Sequence, residues 1–147
     1  MFGVWGSGFA VDSSMPPIKR FEEILAWQKA KELVREVYLV CGAGKFSRDF
    51  GLKDQICRAA VASMSNIAEG FGRRSGKDFA HFLDIARGSA LEVQSLLYVA
   101  RDLNYINETD FTRLYQLAEQ TISLIAGFTA YLRRSSTPNS APRTPHS

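Results

Sequence analysis

The chain has 147 residues, a formal net charge of +3, and 46% hydrophobic residues. These values are typical of one soluble globular domain, and they exclude a mostly disordered chain, a collagen-like repeat and a disulfide-stapled miniprotein. The sequence has no uncharged apolar run of about 18 residues, so we predict no membrane contact and expect a cytoplasmic protein. The only two cysteines, Cys41 and Cys57, lack the spacing of a metal site and are expected to be reduced thiols.

The two ends of the chain differ in composition from its middle. Residues 1–17 carry a single charge and lack the basic start and long apolar core of a secretory signal. We predict a flexible leader over residues 1–20, and Met15 is an alternative start. The Pro/Ser/Thr-rich residues 135–147 predict a disordered tail, which leaves 21–134 as the folded domain.

Apolar residues in the middle of the chain recur with helical spacing. They predict four amphipathic helices, over about 22–41, 51–69, 75–103 and 107–132. Ser75 and Asn107 are each followed by an acid three residues later, the pattern of a helix N-cap. Long helices joined by short loops predict an all-α protein, an antiparallel up-down-up-down four-helix bundle.

Small side chains predict a close contact between the second and third helices. In an antiparallel pair that turns near residue 73, Ala59 and Ala60 face the segment Gly88–Ala90, so the two backbones can approach closely. The same register places Arg58 beside Glu92. We therefore predict an ion pair that joins the two helices.

The second and fourth helices are apolar on more than one face. On the fourth helix, Leu117, Leu124 and Tyr131 form a second stripe at heptad spacing. A single bundle would leave such a stripe in water, so we predict a homo-oligomer with these three residues as candidate interface positions.

No pattern in the sequence supports catalysis. The glycine-rich string 70–77 is not a phosphate-binding P-loop, because Phe71 and Asp78 stand where a glycine and a hydroxyl residue are required. Neither His81 nor His146 has a glutamate three residues before it, as a di-metal bundle site would need. We therefore predict no enzymatic activity, no metal and no cofactor.

Two basic clusters remain as candidate nucleic-acid contacts. They are Arg73, Arg74 and Lys77, between the second and third helices, and Lys45, Arg48 and Lys53, near the start of the second helix. A helix N-terminus beside such cations favours phosphate, although cations in such loops more often serve only to solvate them. Asn66 and Glu69, at the end of the second helix, are expected to have structural roles, as backbone caps or subunit contacts.

Five strings carry a resemblance that spans Phe21 to Leu132. They are LAWQKA at 25–30, GL-x-x-QI at 51–56, RAAV at 58–61, SNIAEGFGR at 65–73 and FL-x-IA-x-GS at 82–89. The chain resembles the bacterial four-helix-bundle family encoded in intervening sequences of large-subunit (23S) ribosomal RNA genes. Relatives of that family include the accessory variability proteins of diversity-generating retroelements.

The resemblance implies a homopentamer around a central channel and no established enzymatic activity. In the retroelement relatives, a basic ring surface binds nucleic acid and contacts a reverse transcriptase. Arg58, Asn66, Glu69 and Arg73 stand at positions that match the family pattern, as part of the strings above. The sequence departs from the pattern at Cys57, where a second basic residue is common, and at Met64, where a proline is common.

Two functional hypotheses follow. The first is a non-enzymatic oligomeric scaffold that binds structured RNA or DNA through basic corners. The second is a protein–protein adaptor, for example for a reverse transcriptase or a ribosome-associated protein, whose basic residues only solvate the surface.

Overall fold

The structure, a computed structural model, describes the backbone of residues 18–143 and the side chains of residues 18–134. Its α-helices are α1 (Leu25–Cys41), α2 (Phe50–Phe71), α3 (Gly76–Asp102) and α4 (Glu108–Arg143), and short 3-10 helices span Phe21–Glu23 and Gly44–Arg48. No β-strand occurs within residues 18–143, which confirms the all-α class. The predictions of a flexible leader and of an alternative start at Met15 fall on residues 1–17, outside the described residues.

The polar residues at the helix starts act as predicted. The Ser75 hydroxyl accepts a hydrogen bond from the Asp78 backbone N–H at 3.0 Å, and the Asn107 side-chain oxygen accepts one from the Asp110 N–H at 2.7 Å. Each bond satisfies one of the backbone donors that a helix N-terminus leaves open. Both predicted N-caps are confirmed.

The end of α3 is shaped by a residue that the sequence reading did not single out. Asn104 adopts a left-handed φ of 59°, and the backbone N–H groups of Asn104 and Tyr105 donate to the carbonyls of Arg101 and Ala100. These paired bonds are a Schellman motif, in which asparagine can replace the more common glycine. Residues 103–107 then connect α3 to α4.

Helix α4 continues past its predicted end. Its backbone is helical to Arg143, over much of the segment for which a disordered tail is predicted. Elongation of a formed helix adds one hydrogen bond for each residue fixed, although Pro138 and Pro142 in this stretch each remove one backbone donor. Residues 144–147 lie outside the described residues.

The helices enclose two clusters of buried side chains, one in each half of the bundle. Each helix contacts its neighbour in the chain, and α1 also contacts α4. The first cluster surrounds the α1–α2 and α3–α4 connections and includes Val37, Cys41, Phe46, Ile56, Leu97 and Leu114. The second surrounds the α2–α3 connection and includes Ile24, Ile67, Phe79, Leu83, Ile125 and Phe128. The predicted apolar stripes of the four helices supply most of these residues.

The close approach of α2 and α3 is found at a different glycine from the one predicted. A Cβ atom added at Gly70 would lie 2.8 Å from Phe79 Cδ1 and 2.8 Å from Phe82 Cβ, so only glycine fits there. Ala59, Ala60 and Ala90 are buried as expected, but Gly88 is exposed and has no atom within 4 Å of a built Cβ. The prediction was wrong for Gly88, because this residue lies on the outer face of α3.

Candidate nucleic-acid interface

The two basic clusters lie at opposite ends of α2. We name them the α1–α2 corner (Lys45, Arg48 and Lys53) and the α2–α3 corner (Arg73, Arg74 and Lys77). Helix α2 has 22 residues, so its ends are about 33 Å apart at 1.5 Å per residue. Within one chain the two corners therefore form separate sites.

The α2–α3 corner contains one restrained cation and two free ones. An Arg73 guanidinium nitrogen donates to Glu69 Oε2 at 3.1 Å, and the same guanidinium lies 4.4 Å from the centre of the Phe82 ring. Arg74 and Lys77 are exposed and form no ion pair among the described side chains. These two side chains are available to an external anion.

The α1–α2 corner contains three cations and an exposed aromatic ring. Lys45, Arg48 and Lys53 form no ion pair with any side chain that the structure describes. Phe50, the first residue of α2, is 76% exposed. It lines an open surface pocket of about 530 Å³ together with Lys53.

Phe50 was not among the residues predicted for a site. The sequence did contain an indication. The buried stripe of α2 begins with Leu52 and Ile56, and Phe50 does not fit the spacing of that stripe. An aromatic residue off the buried face and among cations is typical of a surface on which a base can stack.

The N-terminus of α2 already holds a carboxylate. Asp49 Oδ1 accepts a hydrogen bond from the Leu52 N–H at 3.1 Å, and Asp49 Oδ2 accepts one from the Tyr105 hydroxyl at 2.9 Å. The second bond raises the pKa of the Tyr105 phenol, because it is made by the neutral form. Attraction of phosphate to this corner therefore depends on the three cations and not on the helix end itself.

The predicted ion pair between Arg58 and Glu92 is wrong. Arg58 Nε donates to Asp54 Oδ2 at 2.8 Å, one turn earlier on the same helix, and this bond raises the pKa of the guanidinium. Glu92 instead accepts a hydrogen bond from Gln55 Nε2 at 3.2 Å. The register of the two helices places Gln55 and not Arg58 opposite Glu92. As a result, Arg58 neutralises Asp54, which also lines the pocket beside Phe50.

Asn66 and Glu69 act within α2 and its C-terminal turn. Asn66 Nδ2 donates to the Ala62 carbonyl oxygen at 2.8 Å, a bond one turn back along the helix. The Glu69 carboxylate restrains Arg73 and does not accept a backbone bond that the structure describes. Glu69 thus holds one cation of the α2–α3 corner in place.

The three candidate interface residues on α4 are less exposed than predicted. Leu117 is only 7% exposed and belongs to the first core cluster, so it is a core residue and not part of an outer stripe. Leu124 and Tyr131 are half-buried against the second cluster and line a shallow apolar groove of about 200 Å³. Exposed large apolar side chains lie instead on α3 and on α1, namely Ile85, Leu91, Tyr98 and Val99 on α3 and Leu25, Tyr38 and Leu39 on α1.

Two kinds of feature are absent from the described part of the chain. No group of three or more His, Cys, Asp or Glu side chains there is arranged to hold a metal ion. None of the helices there combines the length and the apolar character needed to cross a membrane.

Comparison with known proteins places this bundle in a family. A solved structure of a protein of unknown function from the S23 ribosomal protein family of Bacteroides thetaiotaomicron superposes with a TM-score of 0.66 and 23% sequence identity, over 72% of this chain and 96% of that one. At that identity, the likeness shows the fold. No curated protein matches the chain. The family model described as 23S rRNA-intervening sequence protein matches residues 22–127, and the chain therefore belongs to that family.

Proposed function

We propose that the protein is a non-enzymatic homo-oligomer, a pentamer of up-down-up-down bundles, that binds structured RNA through its basic corners. The α1–α2 corner is the main contact, and the α2–α3 corner adds phosphate contacts. The family's description, which refers to intervening sequences of 23S rRNA, supports RNA as the nucleic acid.

The observation that carries this proposal is an exposed Phe50 in the same corner as three cations that form no ion pair among the described side chains. Lys and Arg side chains that neutralise phosphates release counterions, and this supplies most of the sequence-independent affinity for nucleic acid. An aromatic ring that stacks on an unpaired base contributes about 1–3 kcal/mol more. A corner with both features fits an RNA hairpin loop or bulge better than a plain duplex.

Contacts at both ends of α2 support the antiparallel order of the helices. Gln55, near the start of α2, bonds to Glu92, and Gly70, near its end, approaches Phe79. The residue numbers therefore fall on α3 as they rise on α2. The bond from Tyr105 to Asp49 likewise brings the α3–α4 turn to the α1–α2 connection.

The exposed apolar face of α3 supports self-association. Leu91, Tyr98 and Val99 are each more than 40% exposed on this helix. Leu91 and Tyr98 are seven residues apart and so share one face of the helix, and an exposed apolar face is typical of a contact site in soluble proteins. Five copies would also combine five times the formal charge of +3 on one particle, which strengthens attraction to a polyanion.

Salt-dependent binding to an RNA hairpin with an unpaired loop tests the RNA contact. We expect log affinity to fall linearly with log salt, with a slope of about −0.7 for each single-stranded phosphate contacted and about −0.9 for each duplex phosphate. Alanine at Lys45, Arg48 and Lys53 together should weaken binding and flatten this slope, and Phe50→Ala should weaken binding to the loop without changing the slope.

A matched control removes three positive charges from elsewhere on the surface. Lys31, Arg35 and Arg87 are exposed on α1 and α3, away from both corners, so their replacement by alanine should leave the slope nearly unchanged. Replacement of Arg74 and Lys77 should have an intermediate effect. If the native oligomer does not bind the hairpin at low salt, the proposal fails and the adaptor hypothesis, with a protein partner such as a reverse transcriptase, takes its place.

A further inference from the structure

Cys41 and Cys57 place two sulfur atoms in contact between α1 and α2. Their Sγ atoms are 3.2 Å apart, and both residues are free thiols. A disulfide bond is about 2.05 Å long, so the sulfurs need to approach by only about 1 Å to bond. Cys41 is the last residue of α1, and the connection to α2 follows it directly.

The two thiols differ in access. Cys57 lines the open pocket that Phe50 and Lys53 also line. Cys41 is completely buried, and its Sγ lies 3.9 Å from the Tyr38 carbonyl oxygen. A small reagent that enters the pocket therefore meets Cys57 first.

The surroundings of Cys41 favour a reaction of its thiol after that of Cys57 and not before it. Burial, followed by the hydrogen bond and charge of Cys57, raises the pKa of the Cys41 thiol to about 12, and the nearby Lys53 ammonium opposes this rise. The charge of Cys57 most strongly raises the pKa of Tyr38, and Asp54 lines the same pocket as Cys57. Cys41 thus keeps its proton and does not react ahead of its neighbour.

We propose that Cys41 and Cys57 form a modification site that exchanges with low-molecular-weight disulfides to give an intramolecular disulfide. The Cys57 thiolate attacks one sulfur of the reagent, forms a mixed disulfide and releases one thiolate. Cys41 then loses its proton and attacks the Cys57 sulfur, which forms the Cys41–Cys57 bond and releases the second thiolate. The two protons from the protein end on the two released thiols, so the protein is oxidised by two electrons and the reagent is reduced by two.

The test uses the folded, reduced full-length protein and glutathione disulfide. After the reaction, remaining thiols are alkylated in denaturant and the intact mass is measured. We expect a product that is lighter than the reduced chain by two hydrogens and carries no alkyl group. Dithiothreitol should restore the reduced mass.

Single variants separate the two roles. Cys41→Ser should stop at one glutathione bound to Cys57, because no second thiol resolves the mixed disulfide. Cys57→Ser should leave Cys41 unmodified while the protein is folded. In denaturant, both variants should accept glutathione, which shows that each remaining cysteine is reactive once it is exposed.

Three results would overturn the proposal. They are a folded wild-type protein that retains two alkylatable thiols under excess reagent, a wild-type protein that accumulates only a stable adduct, and a folded Cys57→Ser variant that reacts at Cys41 as fast as in denaturant. Because the measurement involves no RNA, its result is independent of the function proposed above.

Discussion

Two glycines within helices have opposite surroundings, and alanine at each should therefore have opposite effects. A methyl group at Gly70 would overlap Phe79 and Phe82, whereas one at Gly88 would point into open space. We expect Gly70→Ala to lower the free energy of unfolding by about 1–3 kcal/mol through overpacking. Gly88→Ala should raise it by about 0.5–1 kcal/mol, because alanine has the higher helix propensity.

Denaturant unfolding of the two variants, compared with the wild type, measures both changes. The shared chemical change makes each variant a control for the other. Destabilisation by Gly88→Ala of the same size as that by Gly70→Ala would contradict the assigned position of the close approach.

The helix caps and the ion pair of Arg58 show where sequence reasoning succeeds and where it fails. Ser75 and Asn107 were predicted correctly because an N-cap depends only on residues three positions apart. The partner of Arg58 was predicted wrongly. Gln55, which lies one turn earlier on α2, contacts Glu92 in its place. Asp54, a competing acid one turn back on the same helix, was present in the sequence and accounts for the actual bond.

At the scale of elements, Asp49 joins two parts of the chain that are distant in sequence. Its carboxylate caps α2 and also accepts the hydroxyl of Tyr105, in the turn before α4. Asp49→Ala should cost about 1 kcal/mol of stability from the cap alone and more from the lost contact. Tyr105→Phe should cost less in the Asp49→Ala background than in the wild type.

A double-mutant cycle measures this coupling, and a titration of tyrosine absorbance gives a second readout. The raised pKa of Tyr105 means that this bond stabilises the fold below the ordinary tyrosine pKa and is lost as the pH rises through the folded value. Asp49→Ala should return the pKa of Tyr105 toward its ordinary value. Additive effects of the two substitutions would rule out the link.

The four helices were predictable because each carries a long apolar stripe with a recognisable start or end. The connections between the helices were less predictable. The left-handed conformation of Asn104 after α3, with a φ of 59°, was not foreseen. Asparagine is compatible with many turns, so its presence alone does not fix a backbone conformation.

At the scale of the whole molecule, the exposed face of α3 gives a test of self-association. We expect the wild type to sediment with the mass of five 16.4 kDa chains. Leu91→Lys combined with Val99→Lys should shift the protein toward a smaller species, because two charges would have to be buried at a contact. Sedimentation equilibrium measures the mass directly.

Leu25→Lys combined with Leu39→Lys is the matched control, since both residues are exposed on α1. This variant should keep the wild-type mass. A wild-type protein that remains a single chain at all accessible concentrations would contradict the oligomer, and equal effects of both variants would contradict the assignment to α3.

The candidate site was predictable only in part, for a physical reason. Charge clusters such as Arg73, Arg74 and Lys77 are visible in sequence because their members are close together along the chain. Which of them are ion-paired is seen only in the structure, where Arg73 binds Glu69 and the other two form no ion pair among the described side chains. The exposure of Phe50 likewise depends on which way the first turn of α2 directs this side chain. A stripe of apolar residues does not define that direction well at the end of a helix.

The separation of the two corners along α2 has a consequence for stoichiometry. A strand that occupies one end of the helix leaves the cations at the far end unoccupied, since they are about 33 Å away. If the corners bind RNA as proposed, each particle is multivalent and can tether two separate RNA segments. Complexes should then grow in size near equal proportions of protein and RNA, and shrink again when either component is in large excess.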